Sequence, residues 1–176
     1  MKSPHVLIVA AGLAAAVTCE EPPRAHQQDA VLKANFAQHR AAFERLVVLA
    51  ESDRRFRRVS DDWVSVNDMS DEDAKRLMPA ERWSEFRRLL QEADVPVGMS
   101  QCDGRGHCQG PILFLSSSEG ILDAGSVKGY AFSRMPLEPL VDSLDDPRQL
   151  HFSPDGDSEE RFVRLDEHWY LVLQTG

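Results

Sequence analysis

The segment DAVLKANFAQHRAAFERLVVLAES, residues 29–52, determines the first layer of the fold. Apolar or partly apolar side chains recur in it at three- and four-residue steps. They are Leu32, Phe36, His39, Phe43, Leu46, Val47 and Ala50. This spacing places them on one face of a helix that we expect to begin near Asp29 and to end near Ser52. Because that face is broad and apolar, it predicts that the helix packs on a second layer.

Two shorter helices are predicted between residues 70 and 96. Ser70 and Asp73 resemble a capping box at the start of the second helix, with Asp in place of the usual Glu. Pro79 suits the first turn of a third helix, which we expect to end before Pro96. The apolar stripe of this helix consists of Trp83, Phe86, Leu89 and Leu90.

From residue 97 onward the apolar periods shorten and turn residues recur, as they do in β-strands. The candidate strands are Val97–Gln101, Pro111–Ser116, Gly120–Ala124, Val127–Ser133, Arg161–Leu165 and Trp169–Gln174. Turns are predicted at residues 117–120 and 166–168. Helices followed by a meander of strands predict an α+β fold, with the N-terminal helices on one face of an antiparallel sheet formed by the C-terminal half. We expect the other face to be at least partly solvated.

The first eighteen residues predict export from the cytoplasm. Lys2 precedes an apolar, Ala-rich run from Val6 to Val17, and Cys19 follows it. The run is too short to span a hydrocarbon core, which needs about 20 residues, and its layout is that of a cleaved signal peptide. Residues 1–18 are therefore interpreted as a signal peptide and residues 19–28 as a flexible tether. Residues 29–176 are expected to form a single globular α+β domain.

The three cysteines divide between two predicted chemistries. Cys19 lies where the cysteine of a lipoprotein box would lie, so it is the predicted site of lipidation. The box departs from the usual pattern at Ala16 and Thr18, and cleavage near Ala16 to give a soluble periplasmic protein is the alternative. Cys102 and Cys108 are predicted to form a disulfide, which an oxidising periplasm favours. Free thiols, and a metal or redox site that also uses the intervening histidine, are the alternatives.

The net charge of the chain is −9. Because phosphate backbones repel an acidic protein, we expect no nucleic-acid partner. A basic cluster, Arg54, Arg55, Arg57 and Arg58, surrounds Phe56 but is interpreted as a complement to the dipole at the end of the first helix. The charge slightly favours a basic protein as partner.

No motif for catalysis or for a cofactor is complete. Residues 125–129, Gly-Ser-Val-Lys-Gly, lack the framework of a phosphate loop and are predicted to lie in a hairpin between strands. Residues 155–160 lack the ligand spacing of a calcium loop, and nothing marks residues 116–118 as nucleophiles. We therefore predict no catalytic activity, no cofactor and no metal. An envelope hydrolase, the less favoured alternative, would need His39, His107 or His151 beside carboxylates in a cleft.

Five short segments carry a resemblance to other proteins. They are Phe43-x-x-Leu46 with Asp53, Leu77–Trp83, Gly125–Tyr130, Asp142–Asp145 and Trp169-Tyr170. On these segments the chain resembles a loose group of small proteobacterial lipoproteins, mostly uncharacterised, from about Leu32 to the C terminus. Some exported lipoproteins of this size are immunity proteins that protect a bacterium from secreted antibacterial toxins. The resemblance implies such a periplasmic inhibitor, and an envelope structural or maintenance lipoprotein is the alternative.

Overall fold

The structure, a computed structural model, describes residues 26–101, 110–121, 124–146 and 159–176. The predicted signal peptide, Cys19, Cys102 and Cys108 lie outside these residues, as does the acidic stretch 155–157. Within the described ranges, no helix is long and apolar enough to cross a membrane.

The described residues form three helices and one seven-stranded antiparallel sheet. The helices are α1 (Asp29–Ser52), α2 (Asp71–Leu77) and α3 (Ala80–Glu92). The strands are β1 (Phe56–Val59), β2 (Val64–Val66), β3 (Gly98–Ser100), β4 (Ile112–Ile121), β5 (Ala124–Phe132), β6 (Glu159–Arg164) and β7 (Trp169–Thr175). Their order in the sheet is β2-β1-β3-β4-β5-β7-β6. Because the helices come N-terminal and most of the strands C-terminal, the predicted α+β fold is confirmed.

The apolar stripe of α1 forms the centre of the core against the sheet. Phe36 and Phe43 are 6% and 0% exposed. The ring centroid of Phe43 lies 4.6 Å from that of Tyr130 in β5 and 5.6 Å from that of Trp169 in β7. Aromatic pairs of this kind contribute about 0.5–1.5 kcal/mol each beyond the burial of their area. The predicted helix bounds and the apolar face are therefore confirmed.

The opposite face of the sheet carries a smaller apolar cluster. Ala131, Phe162, Tyr170 and Val172 are buried there, with Leu137 packed against them. Leu137 belongs to the irregular segment that follows β5 and then runs along the outer edge of β6. At that edge the backbone N–H of residue 162 donates to the carbonyl oxygen of residue 139, and the N–H of residue 141 donates to the carbonyl oxygen of residue 162. The edge strand is therefore partly covered by its own chain.

One predicted turn is wrong. Residues 117–120 lie within β4, where Ser117 pairs with Lys128 and Gly120 with Gly125 of β5. Residues 125–129 accordingly lie in β5, and not in a hairpin turn. The long β4–β5 ladder outweighs the turn preference of Ser and Gly residues. The connection between these strands falls at residues 122–123, outside the described residues.

The segment after α1 also differs from its prediction. The last turn of α1 contains no basic residue, and Arg57 and Arg58 lie in β1, so the dipole interpretation of the basic cluster is wrong for them. The guanidinium of Arg57 donates to Asn67, and that of Arg58 lies 5.7 Å from the ring centroid of Trp63. Both cations thus contact side chains in or next to the β1–β2 hairpin, and not the C-terminal end of α1.

We expect Gly129→Ala to destabilise the fold strongly. A Cβ at this position would lie 2.2 Å from the carbonyl oxygen of Phe114 and 2.8 Å from the Cα of Leu115. Because both neighbours are backbone atoms of β4, the strands would have to separate. The free energy of unfolding should fall by about 3 kcal/mol or more, as measured by urea denaturation. The control is Ser118→Ala, an exposed position of the same hairpin, for which we expect a change within about 0.5 kcal/mol. Equal urea denaturation midpoints for the two variants would contradict the requirement for glycine at position 129.

Candidate functional site

A buried lysine stands at the centre of a polar cluster between α1 and the sheet. The side chain of Lys128 is 2% exposed, and its Nζ lies 2.8 Å from the carboxylate of Asp29 and 2.7 Å from that of Asp145. An unpaired charge in a protein interior costs several kcal/mol. The two carboxylates therefore make the burial of the ammonium group tolerable.

The same two carboxylates also accept hydrogen bonds at the N terminus of α1. The backbone N–H of Asp29 donates to both carboxylate oxygens of Asp145, at 3.0 and 3.1 Å, whereas the side chain of Gln28 makes no capping hydrogen bond. The carboxylate of Asp29 in turn accepts from the hydroxyl of Ser143 and the N–H of Leu144. Negative charge at this end of a helix is also favoured by the helix dipole. We call Asp29, Lys128, Ser143 and Asp145 the Lys128 cluster.

Two of the segments that carry the resemblance meet in the Lys128 cluster. Residues 125–130 supply the lysine, and residues 142–145 supply a hydroxyl and a carboxylate. A phosphate group approaching Lys128 would meet two carboxylates, so the charge of this lysine is already matched within the protein. A structural role for residues 125–129, in preference to phosphate binding, stays a prediction, and the residues lie in β5.

Tyr130 extends the polar contacts into the core, two residues beyond the lysine. Its hydroxyl donates to the carbonyl oxygen of Leu32 at 3.1 Å and accepts from the side-chain amide of Asn35 at 2.9 Å. The same amide donates to the carbonyl oxygen of Ala93, just after α3, at 2.8 Å. Burial raises the pKa of Tyr130 to about 12. These bonds join the sheet to both α1 and the end of α3.

His26 connects the segment before α1 to two neighbouring strands. Its Nδ1 lies 2.7 Å from Oγ of Ser117 in β4, and its Nε2 lies 2.8 Å from Oγ of Ser126 in β5. Burial lowers the pKa of His26; the charge of Glu119 opposes this shift and that of Lys128 adds to it.

A histidine hydrogen-bonded to a serine is also the geometry of a base and its nucleophile. In that chemistry a third group usually orients the base, and here the second ring nitrogen meets another serine. Ser126 is 5% exposed, and both serines lie within strands on the face that α1 covers. The arrangement is therefore suited to holding the chain onto the sheet at residue 26.

A shallow groove of about 430 Å³ lies beside the Lys128 cluster. Its lining residues are Leu140, Val141, Asp142, Ser143 and Asp146, and we call it the 140–146 groove. Leu140 is 50% exposed, whereas Leu144, in the same segment, is 3% exposed and packs in the core. The groove thus combines an accessible apolar surface with carboxylates on a segment that is anchored at several points.

The predicted site residues do not converge on one place. Cys19, Cys102 and Cys108 lie outside the described residues, and so do His107 and His151. His39 is half-buried at a kink in α1, where its φ is −112° and its ψ is 20°. In the part of the chain that the structure describes, no group of three or more His, Cys, Asp or Glu side chains could hold a metal ion.

No protein family, curated protein or solved structure matches this chain. Its function is therefore inferred from its own residues and their arrangement.

We expect Lys128→Met to lower the free energy of unfolding by about 3–5 kcal/mol, because two carboxylates would lose their shared cation. The triple change Asp29→Asn, Lys128→Met and Asp145→Asn should recover part of this loss by removing the unmatched charges. As a control, Arg134→Met removes a cation whose side chain is 70% exposed and pairs with Glu51. It should cost about 1 kcal/mol or less. Chemical denaturation at pH 7 measures the free energy of unfolding of all three variants. Equal losses of stability for Lys128→Met and Arg134→Met would refute the stabilising role of the Lys128 cluster.

We expect Tyr130 to make the fold sensitive to alkali. Its pKa is about 12 in the folded protein and about 10 in an unfolded chain. The free energy of unfolding should therefore be unaffected by this group below about pH 10, and should fall by about 3 kcal/mol as the pH rises to about 12. Tyr130→Phe should be about 1–2 kcal/mol less stable at neutral pH, because it leaves buried polar partners unpaired. It should lack the alkaline loss, so the stability difference measured by urea unfolding should shrink with rising pH and reverse as the pH approaches about 12. Parallel losses of stability in the two proteins would contradict this role of Tyr130.

Proposed function

We propose that this protein is an exported, lipid-anchored periplasmic binding protein that inhibits a secreted antibacterial effector and does so without catalysis. Support for export and anchoring comes from residues 1–19, with Cys19 as the acylated residue. Three acyl chains at one cysteine would anchor the protein firmly, because a single chain binds membranes only marginally.

The uneven distribution of charge is the observation that carries the inhibitory role. Residues 110–176 contain twelve acidic and five basic residues, whereas residues 1–109 contain seventeen acidic and fifteen basic residues. The acidic excess is thus concentrated in the C-terminal part of the chain, which forms β4 to β7 and the 140–146 groove. A field of one sign accelerates encounter with a partner of the opposite sign and disfavours other partners.

The buried polar groups favour binding over catalysis. A general acid or base must come within hydrogen-bond distance of the reacting atom, whereas the side chain of Lys128 is 2% exposed and already paired. The hydroxyl of Tyr130 is occupied on both sides by Leu32 and Asn35. In both cases at least one partner of the polar group comes from α1, so these groups serve to hold the helix on the sheet.

The start of the fold limits the length of the proposed tether. Because His26 is bonded to Ser117 and Ser126, the chain is attached to the sheet from that residue. Six residues lie between it and Cys19, and seven fully extended residue steps span at most about 25 Å. A lipid on Cys19 would therefore hold the domain close to the membrane surface, where effectors that attack the envelope act.

The test of the inhibitory role uses a strain that lacks the gene in co-culture with toxin-secreting neighbours. We expect the deletion strain to lose viability and the wild-type gene to restore it. The full protein, used as bait in envelope extract, should retain an effector that degrades peptidoglycan or lipid in stoichiometric amount. A deletion strain that stays fully resistant, together with bait that retains no effector, would refute inhibition.

The anchor is tested separately, with a fatty-acid analogue that labels lipoproteins in growing cells. We expect Cys19→Ser to abolish the label and to release the protein from the membrane fraction. Cys19→Ser protein that keeps both the label and its membrane association would show that the anchor lies elsewhere, and this result would leave the inhibitory role unaffected.

A further inference from the structure

We propose that the 140–146 groove is the docking surface of this protein and that it receives an arginine- or lysine-bearing segment of the partner protein. This inference rests on the proposed inhibitory function and adds to it the surface and the chemistry of recognition.

The groove is built on a segment with little freedom to move. On one side the backbone of residues 139 and 141 is hydrogen-bonded to Phe162 in β6. On the other side Ser143 and Leu144 donate to Asp29, and Leu144 is 3% exposed. An irregular segment held at both ends loses little conformational entropy when a partner binds, and such preorganisation favours affinity.

The anchored segment also carries exposed apolar side chains. Leu140 is 50% exposed and Met135, near the start of the same segment, is 67% exposed, whereas Val48 on α1 is 54% exposed. Residues on loops held by a rigid scaffold are often the ones that bind. Leu140 differs from exposed side chains such as Val48 in lying on an anchored irregular segment beside the carboxylate of Asp142, where a partner can contact both.

The chemistry of the groove indicates a cationic side chain with an aliphatic stem. Leu140 and Val141 provide apolar surface, and the exposed Asp142 provides a carboxylate beside it. Arginine and lysine lay their methylene groups along apolar surface while the charged end reaches a carboxylate. The acidic excess of residues 110–176 adds attraction for such a segment at longer range.

The test uses the full protein, purified from membranes in a neutral detergent, and a fluorescein-labelled octapeptide of alternating arginine and glycine as the probe. The groove variant carries Leu140→Ser and Asp142→Asn, both at exposed positions. The control variant carries Val48→Ser and Glu81→Gln, which likewise remove one exposed apolar side chain and one carboxylate, but from α1 and α3. Urea denaturation first establishes that both variants fold.

We expect fluorescence anisotropy at low salt to show binding of the arginine peptide to the wild-type protein. The groove variant should bind about tenfold more weakly and the control variant within about twofold of wild type. A matching glutamate peptide should not bind, and added salt should weaken the binding of the arginine peptide. Equal affinities for the two variants, or no binding of the arginine peptide to the wild-type protein, would overturn the inference. A wild-type dimer that the groove variant dissociates in sedimentation would also overturn it, because the occupant would be a second copy of the chain.

The co-culture assay with the same two variants separates this inference from the proposed function. Loss of protection in the groove variant alone supports both. Protection by the groove variant at the wild-type level, with an effector still retained, refutes the groove and leaves inhibition standing. Failure of the wild-type protein to protect, with peptide binding still lost in the groove variant, refutes inhibition and leaves a docking surface for cationic segments.

Discussion

The buried charge of Lys128 constrains how the two layers of this protein meet. An ammonium group inside a fold needs opposite charge within a few ångströms, and here Asp29 and Asp145 supply it at 2.8 and 2.7 Å. Asp29 is the first residue of α1, and Asp145 lies in the irregular segment after β5. A packing arrangement that shifted α1 along the sheet, or that detached the segment containing Asp145, would leave the charge of Lys128 without one of its partners. One interaction therefore links a helix, a strand and a loop that are distant in the sequence.

The register of β5 follows from the same constraint. Side chains alternate between the faces of a strand, so Ser126, Lys128 and Tyr130 all face α1, whereas Ala131 faces the cluster around Phe162. A slip of one residue would move the lysine to the face that lacks its carboxylates. Gly129 lies between Lys128 and Tyr130, where β4 approaches so closely that no Cβ fits.

The parts of the fold that depend on local pattern were predictable from the sequence. The bounds of α1, the cap at Ser70 and the strand that begins at Trp169 each have their signals within a few residues. The turn predicted at residues 117–120 was wrong, because turn preference is weak beside the ladder that β4 makes with β5. The interpretation of Gly129 was wrong for a related reason: a close approach of strands requires this glycine, and no local pattern reveals the neighbour.

The candidate site was less predictable than the fold. No local pattern marks Lys128 as buried and paired, since the carboxylate that contacts it from the helix side belongs to Asp29, 99 positions away. The resemblance segments at residues 125–130 and 142–145 were the only signal, and nothing in the sequence indicated that they touch. No local pattern in residues 140–146 predicts the groove. Its shape arises from hydrogen bonds to β6 and α1 that no periodicity encodes.

The long span of these contacts has a consequence for the order in which the molecule assembles. The bonds at the start of α1 join residues 116 positions apart, and Tyr130 bonds the same helix across 98 positions. Contacts of such high sequence separation form late, because a long loop must close before they stabilise anything. Although α1 is synthesised first, it is secured only after residue 145 has emerged. A chain that is still being synthesised would thus stay largely unfolded until residue 145 is free to take its place beside α1.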